Sequence, residues 1–307
     1  MRYLVTLTPL EPYLFGGDIT FGKYADKEEG SYIVKSTLFP QQSAILGMLR
    51  KEIMTQAGLL TRKRKGEWVD NRKEAEKLVS SGKFNIEYNK EQDFKPINKI
   101  SPVFLLKEDK RYIKKVDIDN YSYKDGKLLN YDPKVDIYDN YISIDHEDNL
   151  KTEKIFKAVE QIGNKKGGEE NSLFKKISYS LNDGFKFAFY LDCNYALKNS
   201  IVFLGADRSS FKMEIQESND KLEHKDKKGF ITLLGDAYIK ENIECEFAIT
   251  SEVSYRNIQK TGKGFKKSDR YFLYERGSVF LNPTKLEIDN KNLQKIGYNI
   301  YSKGEEK

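Results

Sequence analysis

The stretch FPQQSAILGMLR, Phe39–Arg50, predicts an amphipathic helix that we place over roughly 40–57. Pro40 suits a first helical turn, where its missing N–H costs nothing, and Gly58 suits a helix end. Gly47 does not fit this pattern, because a glycine inside a helix costs about 0.5–1 kcal/mol relative to alanine. The glycine therefore suggests that another chain segment or a ligand approaches the helix closely at this point.

The helical period places Ser43, Gly47 and Arg50 on the side opposite the apolar stripe that includes Ile45 and Leu49. Two explanations fit a glycine there. A neighbouring strand or helix of protein presses on it, or an RNA backbone passes it while Ser43 and Arg50 contact phosphate. The free N–H groups and positive dipole end of the helix start add a natural anion site near 40–43.

Outward from this helix, RYLVTLT (2–8) predicts a strand, and 107–150 reads as an extended loop or insertion. A short helix over 151–162 ends in GNKKGGEEN (163–171), the best candidate linker. Beyond it the chain becomes rich in strand patterns, of which FKFAFYLD (185–192) alternates most clearly. A strand–helix half followed by a strand-rich half predicts two α+β units with antiparallel sheets.

The composition narrows the class of protein. The 307 residues include 33% charged residues, and no apolar run reaches the roughly 18–20 residues that span a bilayer. The amino-terminal residues lack the apolar core of a secretion signal. With only Cys193 and Cys245, neither a disulfide framework nor a structural zinc site is expected. We expect a reduced, cytoplasmic protein with no membrane partner, no metal and no cofactor.

Positive charge is concentrated near the carboxyl end. Residues 255–276 contain seven Lys/Arg and two Asp/Glu, an excess of five in a chain whose net charge is +6. Within it, TGKGFKKS (261–268) lacks the spacing of a nucleotide-binding phosphate loop. Its glycines would let backbone N–H groups approach phosphates beside Lys263, Lys266 and Lys267. The alternative is an ordinary solvated hairpin loop.

Other candidate residues are scattered along the chain. Arg208, after the glycine turn of LGADRSSF (204–211), suits a base or a phosphate, or else an ordinary turn with a surface ion pair. His146 and His224 lie in highly charged surroundings that predict exposed surface loops. Neither histidine has an apolar pocket typical of a general base, and no nucleophile motif is present. We therefore expect no catalytic residues.

Several motifs together resemble the third Cmr protein family, a RAMP-superfamily subunit of type III-B CRISPR–Cas effector complexes. They are LTPLEPYLFGG, KSTLFPQQSAILGMLR, LGADRS, YERGSVF and IGYN (296–299), in the order of the family. The resemblance implies two ferredoxin-like (RRM-like) modules with helical and loop insertions, which we place at 1–165, with the insertion around 107–150, and at 166–307. It also implies a glycine-rich loop near the carboxyl end, either ERGSVF or KTGKGFK.

The resemblance further implies a non-catalytic subunit that grips the 5′ tag of the CRISPR RNA. Its expected partners are the large polymerase-like subunit and the backbone RAMP subunits. The residues that we expect to contact RNA are Ser43, Gly47, Arg50, Arg208, Arg256, Lys263, Lys266 and Arg270. One alternative is a metal-independent endoribonuclease that processes repeat RNA with His146 or His224 as general base. Another is a structural adaptor whose basic loop meets an acidic partner.

Overall fold

The computed structural model describes most of the chain. The described residues are 1–16, 19–23, 30–60, 63–64, 67–68, 71–117, 121–130, 132, 134, 136–144, 148–164, 173–205, 207–261 and 264–304. None of the helices within these ranges has the length and apolar character needed to cross a bilayer.

Strands dominate the described residues, and helices are few and mostly short. The helices are α1 (Gln42–Gln56), α2 (Arg72–Val79), α3 (Thr152–Ile155) and α4 (Lys291–Lys295). The strands are β1 (Arg2–Pro9), β2 (Ile19–Lys23), β3 (Gly30–Lys35), β4 (Lys63–Arg64), β5 (Glu67–Trp68), β6 (Ile97–Ile100), β7 (Phe104–Lys107), β8 (Lys110–Lys114), β9 (Ser122–Lys124), β10 (Lys127–Leu129), β11 (Tyr141–Ser143), β12 (Asn149–Leu150), β13 (Phe156–Asn164), β14 (Leu173–Leu181), β15 (Phe185–Cys193), β16 (Ser200–Leu204), β17 (Ser209–Glu217), β18 (Phe230–Leu233), β19 (Phe247–Ile249), β20 (Glu252–Tyr255), β21 (Ile258–Thr261), β22 (Gly264–Lys267), β23 (Tyr271–Tyr274), β24 (Val279–Leu281) and β25 (Tyr301–Lys303).

A nine-stranded antiparallel sheet forms the centre of the fold. Its order is β12-β11-β8-β7-β15-β1-β17-β16, and β6 also pairs with β15. The predicted first strand is confirmed as β1, which lies between β15 and β17, two strands from beyond residue 180. The sheet thus joins strands from both sides of the 165/166 boundary, and the predicted division into two modules stays a prediction.

Helix α1 packs its apolar stripe against this sheet, as the helical period predicts. Ile45, Leu49 and Ile53 are fully buried and share one core cluster with the sheet residues Val5 and Phe187. The helix begins at Gln42 and ends at Gln56, close to the predicted bounds. This burial fixes which side of α1 remains at the surface.

Two predicted segments differ in the structure. The segment 107–150, expected as a loop, contributes β8, β11 and β12 to the central sheet and also forms the β9–β10 hairpin. The helix expected over 151–162 is confined to α3, after which β13 begins at Phe156 and pairs with β14. The partners of these strands are neighbours along the chain, since β8 pairs with β7 and β11, β11 with β12, and β13 with β14. Cross-strand pairing therefore outweighs the weak local patterns here.

The remaining strands form smaller sheets. One has the order β13-β14-β3-β2, with a parallel pair between β14 and β3, and another has the order β19-β24-β18-β25. Four two-stranded pairs complete the set: β9–β10, β20–β23, β21–β22 and β4–β5. The fold is therefore of the α+β type, with mostly antiparallel sheets.

Candidate nucleic-acid interface

The basic segment near the carboxyl end forms a two-stranded β-ribbon, comprising β20–β23 and β21–β22. β20 pairs with β23, and farther along β21 pairs with β22. Asn257 and Ser268 join the two ladders, since each donates its backbone N–H to the other residue at 2.8–2.9 Å. Residues 255–274 contain six Lys/Arg and one Asp. The sequence predicted only a short loop here, but the ordered element is longer.

The inner face of the ribbon is held by the core. Tyr255 and Leu273 are almost fully buried, and the Tyr255 ring meets the buried Tyr298 ring edge to face at 5.9 Å. Burial raises the pKa of Tyr255 well above its ordinary value, so its hydroxyl stays neutral. The side chain of Asn257 also donates to the carbonyl oxygen of Phe84 at 3.4 Å. These contacts fix the base of the ribbon on the body of the protein.

The predicted arginines of this segment lie on the surface. Arg256 and Arg270 are both exposed, and they lie opposite each other next to the Tyr255–Tyr271 pair, just beyond the end of β20 and just before β23. Lys266 occupies a position in β22, while Lys263 lies outside the described residues. The structure therefore brings Arg256, Arg270 and the Lys266 position onto one narrow element.

The start of α1 adjoins the base of the ribbon, and three of its backbone N–H groups, where an anion site was expected, have partners within the chain. The Ser43 N–H donates to the Tyr298 hydroxyl at 3.4 Å. The N–H groups of Ala44 and Ile45 donate to the Gln41 carbonyl oxygen at 2.9 and 3.2 Å. Because these first-turn donors are satisfied within the chain, the helix start does not offer them to a phosphate. A role for the Ser43 side chain in RNA contact stays a prediction.

Gly47 lies on an open surface of α1. It is exposed, and a Cβ built there would meet no atom within 4 Å. Packing against another described element of this chain therefore does not explain the glycine. The predicted passage of an RNA backbone past this glycine stays a prediction.

Arg50 has a structural contact that its sequence position did not reveal. Its guanidinium donates to the carbonyl oxygen of Gly82 at 2.7 Å and to that of Ser80. Ser80 directly follows α2, so Arg50 satisfies carbonyls at the end of that helix. Burial lowers the pKa of Arg50. The two helices are thereby joined, and the predicted RNA contact by Arg50 stays a prediction.

Arg208 occupies the turn between β16 and β17. It is exposed with a φ of +55°, and the neighbouring Gly205 has a φ of +92°. A Cβ on Gly205 would lie 2.5 Å from the Leu14 carbonyl oxygen, so this turn requires glycine. Asp207 pairs with Lys176 of β14. This turn thus contacts the loop after β1 through Gly205 and contacts β14 through Asp207.

The motif YERGSVF contains one of the two segments expected as the glycine-rich loop, and it is buried from Arg276 to Phe280. The Arg276 guanidinium is 4% exposed and forms a two-pronged ion pair with Asp236, at 3.1 and 3.2 Å. It also donates to the Val103 carbonyl oxygen at 2.8 Å and lies 4.4 Å from the centre of the Phe39 ring. The motif therefore connects distant segments of the fold.

IGYN and FPQQS meet in the same region. The Gln42 side chain is fully buried and donates from Nε2 to the carbonyl oxygens of Ser101 and Gly297, at 3.0 and 3.3 Å. Gly297 has a φ of +91°, and a Cβ there would lie 2.2 Å from the Gln42 Nε2. The close approach requires glycine, and it explains why these two short motifs occur in one chain.

His224 is buried, although its charged neighbours predicted an exposed loop. Its side chain has no exposed area, and Nε2 lies 3.3 Å from Asp226 Oδ1 and 3.4 Å from Lys115 Nζ. Lys115 and Asp226 form an ion pair at 3.0 Å. His224 is thus buried within an otherwise largely exposed segment, beside an ion pair whose lysine directly follows β8. His146 lies outside the described residues.

Part of the chain matches a protein-family model. The model, described as CRISPR-associated protein (Cas_Cmr3), matches residues 5–113, which include β1, α1 and β7. This region covers about a third of the chain. No protein with a curated description matches the sequence.

Two solved structures contain chains of the same fold. One is a cryo-EM structure of the Type III-B Cmr-beta bound to cognate target RNA. The match has a TM-score of 0.57 and a sequence identity of 15%, and it covers 99% of this chain and 96% of that chain. The other is the Type III-B Cmr-beta bound to cognate target RNA and AMPPnP, state 1, with a TM-score of 0.55 and 14% identity over 98% and 96% of the two chains. The comparisons therefore give a family match over residues 5–113 and a fold shared with chains of these two complexes.

Proposed function

We propose that this protein is the third Cmr subunit of a type III-B CRISPR effector complex, a non-catalytic RNA-binding protein that grips the 5′ tag of the CRISPR RNA. The family match supports the subunit assignment, and the basic ribbon is the observation that supports RNA binding. The proposal retains two ferredoxin-like modules, at 1–165 and 166–307.

A ribbon with this charge suits an RNA backbone. Its excess of five positive charges lies within 20 residues, on an element whose base is fixed by buried aromatic rings. Lys and Arg that neutralise phosphates release counterions and provide affinity without reading sequence. A fixed base lowers the ordering entropy that binding would otherwise cost. The ribbon therefore fits a role in holding the guide in register.

The open side of α1 provides the proposed subunit contact. Gly47 leaves a shallow gap near the ribbon base, to which α1 is linked through Ser43 and Tyr298. A helix without a side chain at that point admits a backbone at close range. We assign this side of α1 to the boundary between the guide RNA and the large polymerase-like subunit, beside the backbone RAMP subunits.

The alternative, a repeat-processing endoribonuclease, is weakened by the position of His224. A general base must come within about 3 Å of the 2′-OH whose proton it removes. The His224 side chain is instead enclosed with Lys115 and Asp226, where a scissile RNA strand has no access. His146 is then the histidine that this alternative would require.

Recovery from the native host tests the proposal. The full chain, carrying an affinity tag, is purified, and its bound RNA and proteins are identified by sequencing and mass spectrometry. We expect CRISPR RNA that begins with a repeat-derived tag, together with the large and backbone Cmr subunits. Recovery of the subunits without RNA would favour the adaptor reading. Specific cleavage of repeat RNA in EDTA by the purified chain, lost on His146→Ala, would favour the nuclease.

A further inference from the structure

The outer face of the ribbon carries an exposed aromatic ring close to two arginines. Phe272 is 57% exposed, and Ser254 is its partner across the β20–β23 ladder. Because side chains alternate along a strand, Phe272 lies on the face opposite the buried Tyr255 and Leu273. Arg270 lies two residues before Phe272, which is about 6.6 Å along a strand. Arg256 lies next to Tyr255 on the other strand, also exposed.

No ring or cation contact within the described part of the chain covers Phe272. The contrast is with Phe203 on β16, which is 51% exposed but has the Lys51 ammonium 5.6 Å from its ring centre. Single exposed apolar side chains are common and need no special explanation. An uncovered ring beside two exposed arginines on a two-stranded ribbon is a more specific arrangement, because it combines a stacking surface with phosphate-binding charge.

This combination matches the chemistry of single-stranded nucleic acid. Proteins bind such strands by stacking unpaired bases on aromatic side chains within a positively charged surface. Arginine adds contacts to phosphates and can itself stack on a base. The carboxylates of an acidic protein partner would attract the arginines. Such a partner would not offer the Phe272 ring a planar surface for stacking comparable to a base.

We propose that Phe272 is a stacking platform for one unpaired base of a bound RNA, with Arg256 and Arg270 holding the adjacent phosphates. The inference rests on the proposed RNA-binding function and adds to it a contact that recognises the base rather than the backbone. The site lies on a paired strand whose opposite face is anchored in the core.

Fluorescence titration with the full chain tests the site. The probe is a single-stranded RNA of about eight nucleotides, within the length that such surfaces cover, with one 2-aminopurine placed at each position in turn. We expect quenching at one position and a loss of affinity of about 5- to 150-fold in Phe272→Ala. Phe272→Trp should retain both signals, and Phe203→Ala is the matched control with a similarly exposed ring. The slope of affinity against salt should not change in Phe272→Ala, because no phosphate contact is lost.

The outcomes separate the two proposals. If the wild-type chain binds no RNA, the RNA-binding function itself fails. If the wild-type chain binds RNA but Phe272→Ala binds equally well and is equally quenched, the stacking site is wrong while RNA binding stands. If Phe272→Ala leaves RNA affinity intact but weakens recovery of another Cmr subunit, the face is a protein interface, which also overturns the proposal.

Discussion

Asp226 shows how one buried carboxylate can tie distant parts of this fold together. Its Oδ1 accepts from Lys115 at 3.0 Å and from Thr232 at 2.9 Å, and Oδ2 accepts from Ser302. Burial alone would raise the pKa of Asp226, but the hydrogen bonds of His224 and Ser302 and the charge of Lys115 outweigh it and lower the pKa to about 2. The carboxylate therefore stays ionised inside the protein.

This pKa predicts an acid-sensitive contribution to stability. A folded-state pKa below the ordinary value means that the stabilisation is complete above about pH 4 and is lost as pH falls towards 2. The shift corresponds to roughly 2 kcal/mol. Urea unfolding between about pH 5 and pH 2 should show a steeper fall in the wild-type chain than in Asp226→Asn. If the free energy of unfolding fell equally steeply with pH in the two proteins, Asp226 would not be the source of this stabilisation.

The roles of such residues could not be predicted from their neighbours in the sequence. His224 stands among charged residues, which is typical of exposed loops. Arg276 lies in the basic segment of the sequence, but in the structure it is buried. Their partners, Lys115 for His224 and Asp236 for Arg276, are supplied by other parts of the fold. Local charge patterns indicate how much charge is present, but the long-range pairing that buries it depends on the tertiary structure.

At the level of elements, strong periodicity predicted well and weak periodicity did not. α1 and β15 have clear apolar patterns, and both lie within a few residues of their predicted bounds. The strands β8, β11 and β12 are only two to five residues long, and they pair with one another and with β7. Such short strands are stabilised by cross-strand packing rather than by local preference, so the segment 107–150 read as a loop.

The open side of α1 predicts opposite effects of Gly47 substitutions on stability and on assembly. Gly47→Ala should stabilise the isolated chain by about 0.5–1 kcal/mol, because the site is helical and has free space for a methyl group. Gly47→Leu should also fold, which thermal unfolding of the isolated chain checks. Only the leucine is large enough to block a close partner, so it should abolish co-purification with the other Cmr subunits or with guide RNA.

Gly47→Ala is the control for this experiment, since it changes helix preference with little added bulk. A Gly47→Leu chain that assembles and binds guide RNA like the wild type would show that no partner needs the gap. The glycine would then require another explanation. Arg50→Ala is a poorer probe of the same side, because it removes the bonds to the carbonyl oxygens of Ser80 and Gly82 and so affects stability directly.

For the whole molecule, charge concentration was the most useful guide from the sequence. The excess of Lys/Arg in 255–276 located the ribbon but not its extent. It also did not indicate that Arg276, the last residue of this segment, is buried. The quoted motifs located contacts that join the ends of the chain, such as Gln42 with Gly297. The predicted linker at 163–171 gave no indication that the central sheet combines strands from before and after this segment.

The most direct test of the account is the salt dependence of RNA binding by the full chain. Single-stranded RNA with a repeat-derived 5′ tag is titrated over a range of salt concentrations with the wild type and with an Arg256→Ala/Arg270→Ala double variant. Lys124→Ala/Lys127→Ala is the matched control, because these two exposed lysines face each other across the β9–β10 hairpin. We predict weaker binding by the arginine variant and a slope of log affinity against log salt that is shallower by about 1.4, from two lost phosphate contacts. Unchanged affinity and slope in a folded arginine variant, or an equal loss in the lysine control, would contradict the assignment of RNA binding to the ribbon.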